Sequence, residues 1–234
     1  MFEGVKKKLE LAEYFLSNLK RLEHDAGGNL TYVKLDKRNE MRANLDGFLF
    51  EIISAKEFFL QGIIDSYGLT SAKLRVTKRK LLIKLLDSKG LNDASRVVTR
   101  IDELLDGQRL RPDQKLHDDK DSWLWRLNHY RNSATHRELL RFGSQAEIYL
   151  DKELFSKLQQ EKIVIKTIFE GQEKDIPPEV KKIKIPLENI KTYLFKDPVD
   201  VSKGNVDIEV IPYCEQSLER MKDFLEQLYS ELSI

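Results

Sequence analysis

Residues 41–64, MRANLDGFLFEIISAKEFFLQGII, decide the fold. Their large apolar side chains recur at steps of three and four, which is the spacing of one face of an α-helix. The stripe comprises Met41, Leu45, Leu49, Ile52, Phe59 and Ile63, and it is widened by Phe48, Ile53, Leu60 and Ile64. This pattern predicts a long helix over residues 37–66 that ends at Gly68.

The same spacing predicts four further helices before residue 143. They are expected at 2–22 ahead of Gly27, from Ser71 to Gly90, from Asn92 to Gly107, and over 119–142 with Gly143 as the C-terminal αL residue. Helical spacing returns at the end of the chain, with Leu218, Met221, Phe224, Leu225, Leu228 and Leu232 on one face. We therefore predict a mainly α protein whose last helix packs back on the earlier ones.

The chain changes character near residue 145, because five of its six prolines lie between Pro177 and Pro212. Short β-branched or alternating runs occur here at 146–150, 162–169, 182–185 and 206–211, separated by Gly, Pro and Asp. The prediction is a helical bundle over 1–143, a small β-containing insertion over 144–212, and a C-terminal helix over 213–234.

Charge is distributed unevenly along the 234 residues. The 40 Lys and Arg nearly balance the 39 Asp and Glu, yet residues 1–140 hold 26 basic and 21 acidic residues, and residues 141–234 hold 14 and 18. The first part is thus +5 and the second −4. An acid-free stretch in the first part supplies the candidate RNA-binding residues Lys73, Arg75, Lys78, Arg79 and Lys80. The alternative is a solvated helix face.

Several classes of protein are excluded. The single Cys214 allows neither an internal disulfide nor a thiol cluster for zinc, so we expect a cytoplasmic protein. No stretch is long and apolar enough for a membrane helix, and no nucleotide-binding glycine motif or metalloprotease motif occurs. His129 and His136 lie roughly 10 Å apart along a helix, which is too far for one metal ion. We predict no metal, no cofactor and no membrane partner.

The fifth helix holds the candidate site. Trp123, Leu127, Tyr130 and Ala134 form a stripe expected to face the core, and Arg131, Asn132 and His136 lie beside it. Asn132 and His136 are four residues apart and so share a face, where the amide could fix the imidazole tautomer. Arg131 is about 140° around the helix from His136 and would have to curl over Asn132 to meet it.

The run Arg131-Asn132-Ser133-Ala134-Thr135-His136 resembles the Arg-x4–6-His signature of the HEPN superfamily, in the form with Asn after the Arg. A second match, from Arg111 to His117, falls in an expected loop. The resemblance implies a compact helical bundle and a metal-independent endoribonuclease. Arg137 departs from the family pattern, in which a small residue often follows the His.

That resemblance also implies roles for the residues and partners. His136 would take the proton from a ribose 2′-hydroxyl, Arg131 would hold the phosphate, and a 2′,3′-cyclic phosphate would form. The second acid–base group would come from a homodimer partner or from His129. RNA or a nucleotide is the expected partner, a protein antitoxin is another, and the role would be in defence or as a toxin.

Two alternatives stay open. One is a HEPN-like module that binds RNA, a nucleotide or a protein without cutting. The other is a structural helical protein, in which Arg131 makes a surface pair with Thr135 or Glu138.

Overall fold

The structure is a computed structural model that describes residues 1–26, 35–69, 78–106, 123–136, 143–146, 190–196 and 207–233. These ranges are mainly helical, which confirms the predicted class. Their six helices are α1 (Glu3–Ala26), α2 (Leu35–Ser66), α3 (Arg79–Ser88), α4 (Asn92–Asp106), α5 (Trp123–His136) and α6 (Val210–Ser230). Within the same ranges, none of the helices is both long and apolar enough to cross a membrane.

Helices α1 and α2 pack closely because aromatic rings of each lie over glycines of the other. The three pairs are Phe2 with Gly62, Phe58 with Gly4, and Phe15 with Gly47. A Cβ atom at position 47 would lie 2.6 Å from a ring carbon of Phe15, well inside the normal carbon–carbon contact distance. Glycine costs about 1 kcal/mol relative to alanine inside a helix, so these glycines are explained by close antiparallel packing and not by helix propensity.

Helix α2 is the centre of the core, in contact with α1, α5 and α6. The predicted apolar stripe is buried, since every one of its members from Met41 to Ile63 is at most 3% exposed. Helix α4 packs against α3 and α5. The apolar face of α6 is buried against the earlier helices, through Leu218, Met221, Phe224, Leu225 and Leu228. The last helix thus lies against α1 and α2.

Helix boundaries differ from the predictions at several points. Gly68 and Gly90 have positive φ angles of 60° and 68° and end α2 and α3 as expected. Helix α3 begins at Arg79, not Ser71, and residues 70–77 lie outside the described ranges. Helix α6 begins at Val210, not at 213. Pro212 therefore lies in its first turn, where a proline is tolerated because the N–H groups have no helical partner.

Three short strands form an antiparallel sheet in the order β1 (Gly143–Ala146), β2 (Ile190–Lys196) and β3 (Asp207–Glu209). Gly143 pairs with Tyr193 in this sheet, so its predicted role as a helix C-terminal residue is wrong. Strand β2 was not predicted, although Ile190, Thr192 and Leu194 alternate there. The expected strands at 147–150, 162–169 and 182–185 lie outside the described residues.

Candidate functional site

The candidate site is built on α5, whose buried side fixes its rotation in the bundle. Leu127 and Tyr130 are fully buried, and Trp123 and Ala134 pack against the same core, as the sequence predicted. The Trp123 ring meets Phe224 of α6 edge-on, at 5.7 Å between ring centroids. With this stripe facing inward, position 131 lies at the edge of the stripe that faces α2.

Arg131 is held by a carboxylate of α2. Its Nη2 atom donates a hydrogen bond of 2.7 Å to Oε1 of Glu57, and the two side chains are 18% and 32% exposed. An arginine–carboxylate bond of this length is a charge-assisted hydrogen bond, which orients the guanidinium as well as stabilising it. The guanidinium of Arg131 is thus fixed against α2 by Glu57. The side chains of Thr135 and Glu138, the partners considered for a surface pair, lie outside the described part of the structure.

The same oxygen of Glu57 also faces a buried lysine. Lys56 Nζ lies 3.8 Å from Glu57 Oε1, and its side chain is only 5% exposed. Burial lowers the pKa of Lys56 to about 8, since a charged ammonium is poorly solvated there. Nearby Arg79 and Arg131 lower this pKa further, while Glu57 acts in the opposite direction.

A second ion pair completes the group. Arg79, at the start of α3, donates a 2.6 Å hydrogen bond through Nε to Oδ1 of Asp102 on α4, and both side chains are mostly buried. We call Lys56, Glu57, Arg79, Asp102 and Arg131 the charged cluster. It draws its members from α2, α3, α4 and α5, and it holds three cations and two carboxylates.

The remaining predicted catalytic residues are described only in part. Asn132 is half-buried and follows Arg131 on α5. His136 is the last residue of the helix, and its side chain lies outside the described part of the structure, so the predicted contact between Asn132 and His136 stays a prediction. Positions 131 and 136 lie about 140° apart on an ideal helix, and Arg131 is turned toward α2.

The predicted RNA-binding residues do not form one exposed stripe in the described ranges. Lys73 and Arg75 lie outside those ranges. Lys78 and Lys80 are exposed near the start of α3. Arg79 turns inward to Asp102, so its side chain belongs to the charged cluster.

The other candidate residues take ordinary packing positions. The His129 ring stacks on Trp125, with 5.3 Å between centroids and 23° between the ring planes. Cys214 is fully buried, and burial raises the pKa of its thiol well above the usual value, which fits the packing role expected for it. No group of three His, Cys, Asp or Glu side chains suited to a metal ion occurs in the described ranges.

A shallow groove of about 460 Å³ lies between α3 and α4. Its charged lining residues are Asp87, Arg96, Arg100 and Glu103. These two acidic and two basic side chains balance in sign.

Sequence reasoning missed Lys56, Glu57 and Asp102. The signal for Lys56 is present in the sequence, because it lies four residues after Ile52 and four before Leu60, within the apolar stripe of α2. A lysine at a core position is rare and needs an explanation. The partners of the cluster could not be identified in this way, because Glu57 and Arg131 are 74 residues apart in the chain.

Comparisons with known proteins identify no family for this chain. The chain matches no protein-family model, no curated protein and no solved structure.

Proposed function

We propose that the chain is a HEPN-like, metal-independent endoribonuclease. The observation that supports this best is the position of Arg131, which Glu57 holds in a mostly buried place next to Lys56. An oriented guanidinium with little exposure to water is suited to a phosphate group and to the charge that builds on its oxygens during transfer. His136 lies on the same helix, at the spacing of the HEPN signature.

The reaction would proceed by attack of a ribose 2′-hydroxyl on the adjacent phosphorus. His136 would accept the proton of that hydroxyl, since an imidazole with an ordinary pKa of about 6.5 can act as a base near neutral pH. Arg131 would bind the phosphate oxygens. The products would be a 2′,3′-cyclic phosphate and a 5′-hydroxyl.

One histidine cannot supply acid and base at the same moment, so a second group is needed. We propose a homodimer in which the motif helices of two copies face each other, with His129 as the alternative within one copy. A mass of one chain by light scattering at micromolar concentration would contradict the dimer.

The wider setting is proposed on the same resemblance. The bundle would be HEPN-like, with residues 144–212 as a β-containing insertion, which the pairing of β1 with β2 supports. A cytoplasmic toxin or defence enzyme of this kind would be controlled by a protein antitoxin.

The test is RNA incubated with the protein in EDTA. We expect cleavage to persist without metal ions and to be lost in His136→Ala, in Arg131→Ala and on RNA with a 2′-deoxy residue at the scissile position. His24→Ala and Arg96→Ala are matched controls, because their side chains are 75% and 78% exposed on the surface. Equal cleavage by the wild type and His136→Ala would remove the catalytic assignment.

A second candidate is a HEPN-like module that binds RNA without cutting. The observation in its favour is that Arg131 is turned toward Glu57 of α2, whereas position 136 lies about 140° around the helix from it. Such a module would bind RNA with an affinity that falls with salt and with Arg131→Ala, and it would release no cyclic phosphate.

A further inference from the structure

The pair formed by α1 and α2 leaves large apolar side chains in contact with water. Five large hydrophobic residues are exposed in the described ranges, and four of them lie on these two helices. They are Leu11 and Tyr14 of α1, at 43% and 61% exposure, and Phe50 and Phe58 of α2, at 46% each. The fifth, Leu81, lies on α3. Single exposed apolar residues are ordinary, whereas a contiguous group of them marks an interaction surface.

The two exposed rings of α2 border the same ammonium group. Lys8 Nζ of α1 lies 5.3 Å from the ring centroid of Phe58 and 5.8 Å from that of Phe50. Eight residues separate the two rings in the chain, which corresponds to about 12 Å along the helix and about 80° around it. Both rings therefore lie on one side of α2, at its seam with α1.

The exposed residues of α1 continue this surface. The rings of Phe58 and Phe15 each lie over a glycine of the opposite helix. These two contacts join the helices in antiparallel order, so Leu11 lies between them along the seam. The Tyr14 ring meets the Phe15 ring edge-on, with 5.7 Å between centroids. We call the surface formed by Leu11, Tyr14, Phe15, Phe50 and Phe58 the aromatic face.

The cations that border the aromatic face are paired with carboxylates of the same two helices. Lys8 pairs with Glu51 at 2.7 Å, and these side chains are 19% and 13% exposed. The outer pairs are Lys7 with Glu3 and Arg21 with Glu40. Because these cations are already neutralised, the face is poorly suited to the phosphate backbone of RNA. An apolar protein surface is the better match.

A second copy of the chain meets the charge requirement. In a two-fold dimer the same patch of both copies meets itself. A patch with a net charge would repel its own copy, whereas one whose ions are paired does not.

The exposed area also fits a dimer. With about 200 Å² for a whole aromatic side chain, the four exposed residues leave roughly 350–400 Å² of mostly apolar surface in water. A stable interface covers about 800 Å² of each partner, and a little over half of that area is apolar. The aromatic face therefore supplies most of the apolar area that a dimer needs.

We propose that the aromatic face binds the same face of a second copy, so that α1 and α2 of the two copies pack together about a two-fold axis. Phe50 and Phe58 are the expected anchors, since a few buried aromatic side chains carry most of the binding free energy in protein interfaces. None of the five residues of the face belongs to α5. This contact is thus separate from the facing motif helices proposed above, and it does not rest on ribonuclease activity.

Analytical ultracentrifugation over a micromolar range of concentration tests the interface. We expect the double variant Phe50→Ser/Phe58→Ser to have half the mass of the wild type. Its dissociation constant should rise at least about a hundredfold, because each aromatic anchor contributes about tenfold or more. Leu81→Ser is the matched control, since Leu81 is equally exposed at 46% and lies outside the face, and it should keep the wild-type mass.

Tyr14→Arg tests the face from α1 and leaves the packing of α2 unchanged. Its side chain is 61% exposed, so the variant should fold like the wild type, as judged by circular dichroism and urea denaturation. The added cation should lower the mass in the same way. A double variant of Phe50 and Phe58 that does not fold is replaced by this measurement.

A wild type with the mass of one chain would overturn the proposal and leave the face to a different protein. Wild-type mass in the folded variants of the face would also overturn it, and the oligomer would then be assigned to another surface, such as the motif helices. Dissociation of Leu81→Ser would show that the effect is not specific to the face and would have the same consequence. Absence of RNA cleavage would end the ribonuclease proposal without changing any of these masses.

Discussion

Replacing Lys56 with methionine should stabilise the protein, although it removes a buried charged residue from an ion pair. The folded state holds Lys56 with a pKa of about 8, against 10.5 for an exposed lysine. Below pH 8 the lysine is protonated in both the folded and the unfolded state. The difference in its pKa then lowers the free energy of unfolding of the wild type by roughly 3 kcal/mol. Methionine is apolar and similar in length, so it fits between Ile52 and Leu60 without the charge.

The direction of the pH dependence follows from proton binding. Between pH 8 and 10.5 the unfolded chain binds the proton more tightly than the folded protein, so the stability of the wild type rises with pH in this window. The stability advantage of Lys56→Met should therefore be roughly 2 kcal/mol smaller at pH 9.5 than at pH 7. Taking the difference between variant and wild type cancels the titration of other groups.

Urea denaturation followed by circular dichroism at the two pH values measures this difference. Lys7→Met should match the wild type at both, because that side chain is 69% exposed. A Lys56→Met protein that is less stable than the wild type at pH 7 would refute the reasoning, as would an advantage that does not change with pH. The first result would mean that the ion pair with Glu57 outweighs the cost of burial, and the second that folding does not lower the pKa of Lys56.

Three further predictions concern packing. Gly47→Ala should lower the free energy of unfolding by about 1–3 kcal/mol, because its methyl group would overlap the Phe15 ring, and this would show as a lower urea midpoint. Leu127→Ala should cost about 2–5 kcal/mol by leaving a cavity in a fully buried position, measured in the same way. Cys214 should react with a thiol reagent such as Ellman's reagent only after denaturation, since it is buried and its thiol pKa is raised.

The predictions for Gly47→Ala and Leu127→Ala have matched controls. Gly4→Ala meets the ring of Phe58, which is 46% exposed and can turn away, so it should cost less than Gly47→Ala. Leu81→Ala removes a side chain that is 46% exposed and should cost well under half as much as Leu127→Ala. A Gly47→Ala protein as stable as the wild type would contradict the close packing of α1 on α2. Rapid labelling of Cys214 in the native state would contradict its burial.

The helices could be predicted because their signal is local. The stripe of α2 and the Gly68 and Gly90 ends depend on residues within one or two turns, and the structure has them where the spacing predicts. The start of α6 is misplaced because Val206, Ile208 and Val210 alternate with acidic residues, a pattern that predicts a strand, whereas the strand ends at Glu209.

Only the part of the candidate site that lies on α5 could be predicted from the sequence. The motif residues Arg131 and Asn132 follow from their order in the sequence, but the side on which Arg131 finds its carboxylate depends on how α5 rests against α2. That arrangement arises from packing of Leu127 and Tyr130 in the core. The spacing of residues within one helix does not predict how two helices pack. Glu57 could therefore not be identified as the partner of Arg131 in preference to acidic residues nearer in the sequence.

The two glycines of α2 that lie under aromatic rings, Gly47 and Gly62, affect how mutations would be interpreted in a genetic screen. Gly47 and Lys56 are nine residues apart, which places them about half a turn around the helix, on opposite sides. A larger residue at position 47 would push α2 away from α1 and carry Lys56 and Glu57 with it. Loss-of-function alleles at Gly47, Gly62 or Phe15 should therefore be assigned first to displacement of α2, and not to a second ligand surface on the far side of the bundle.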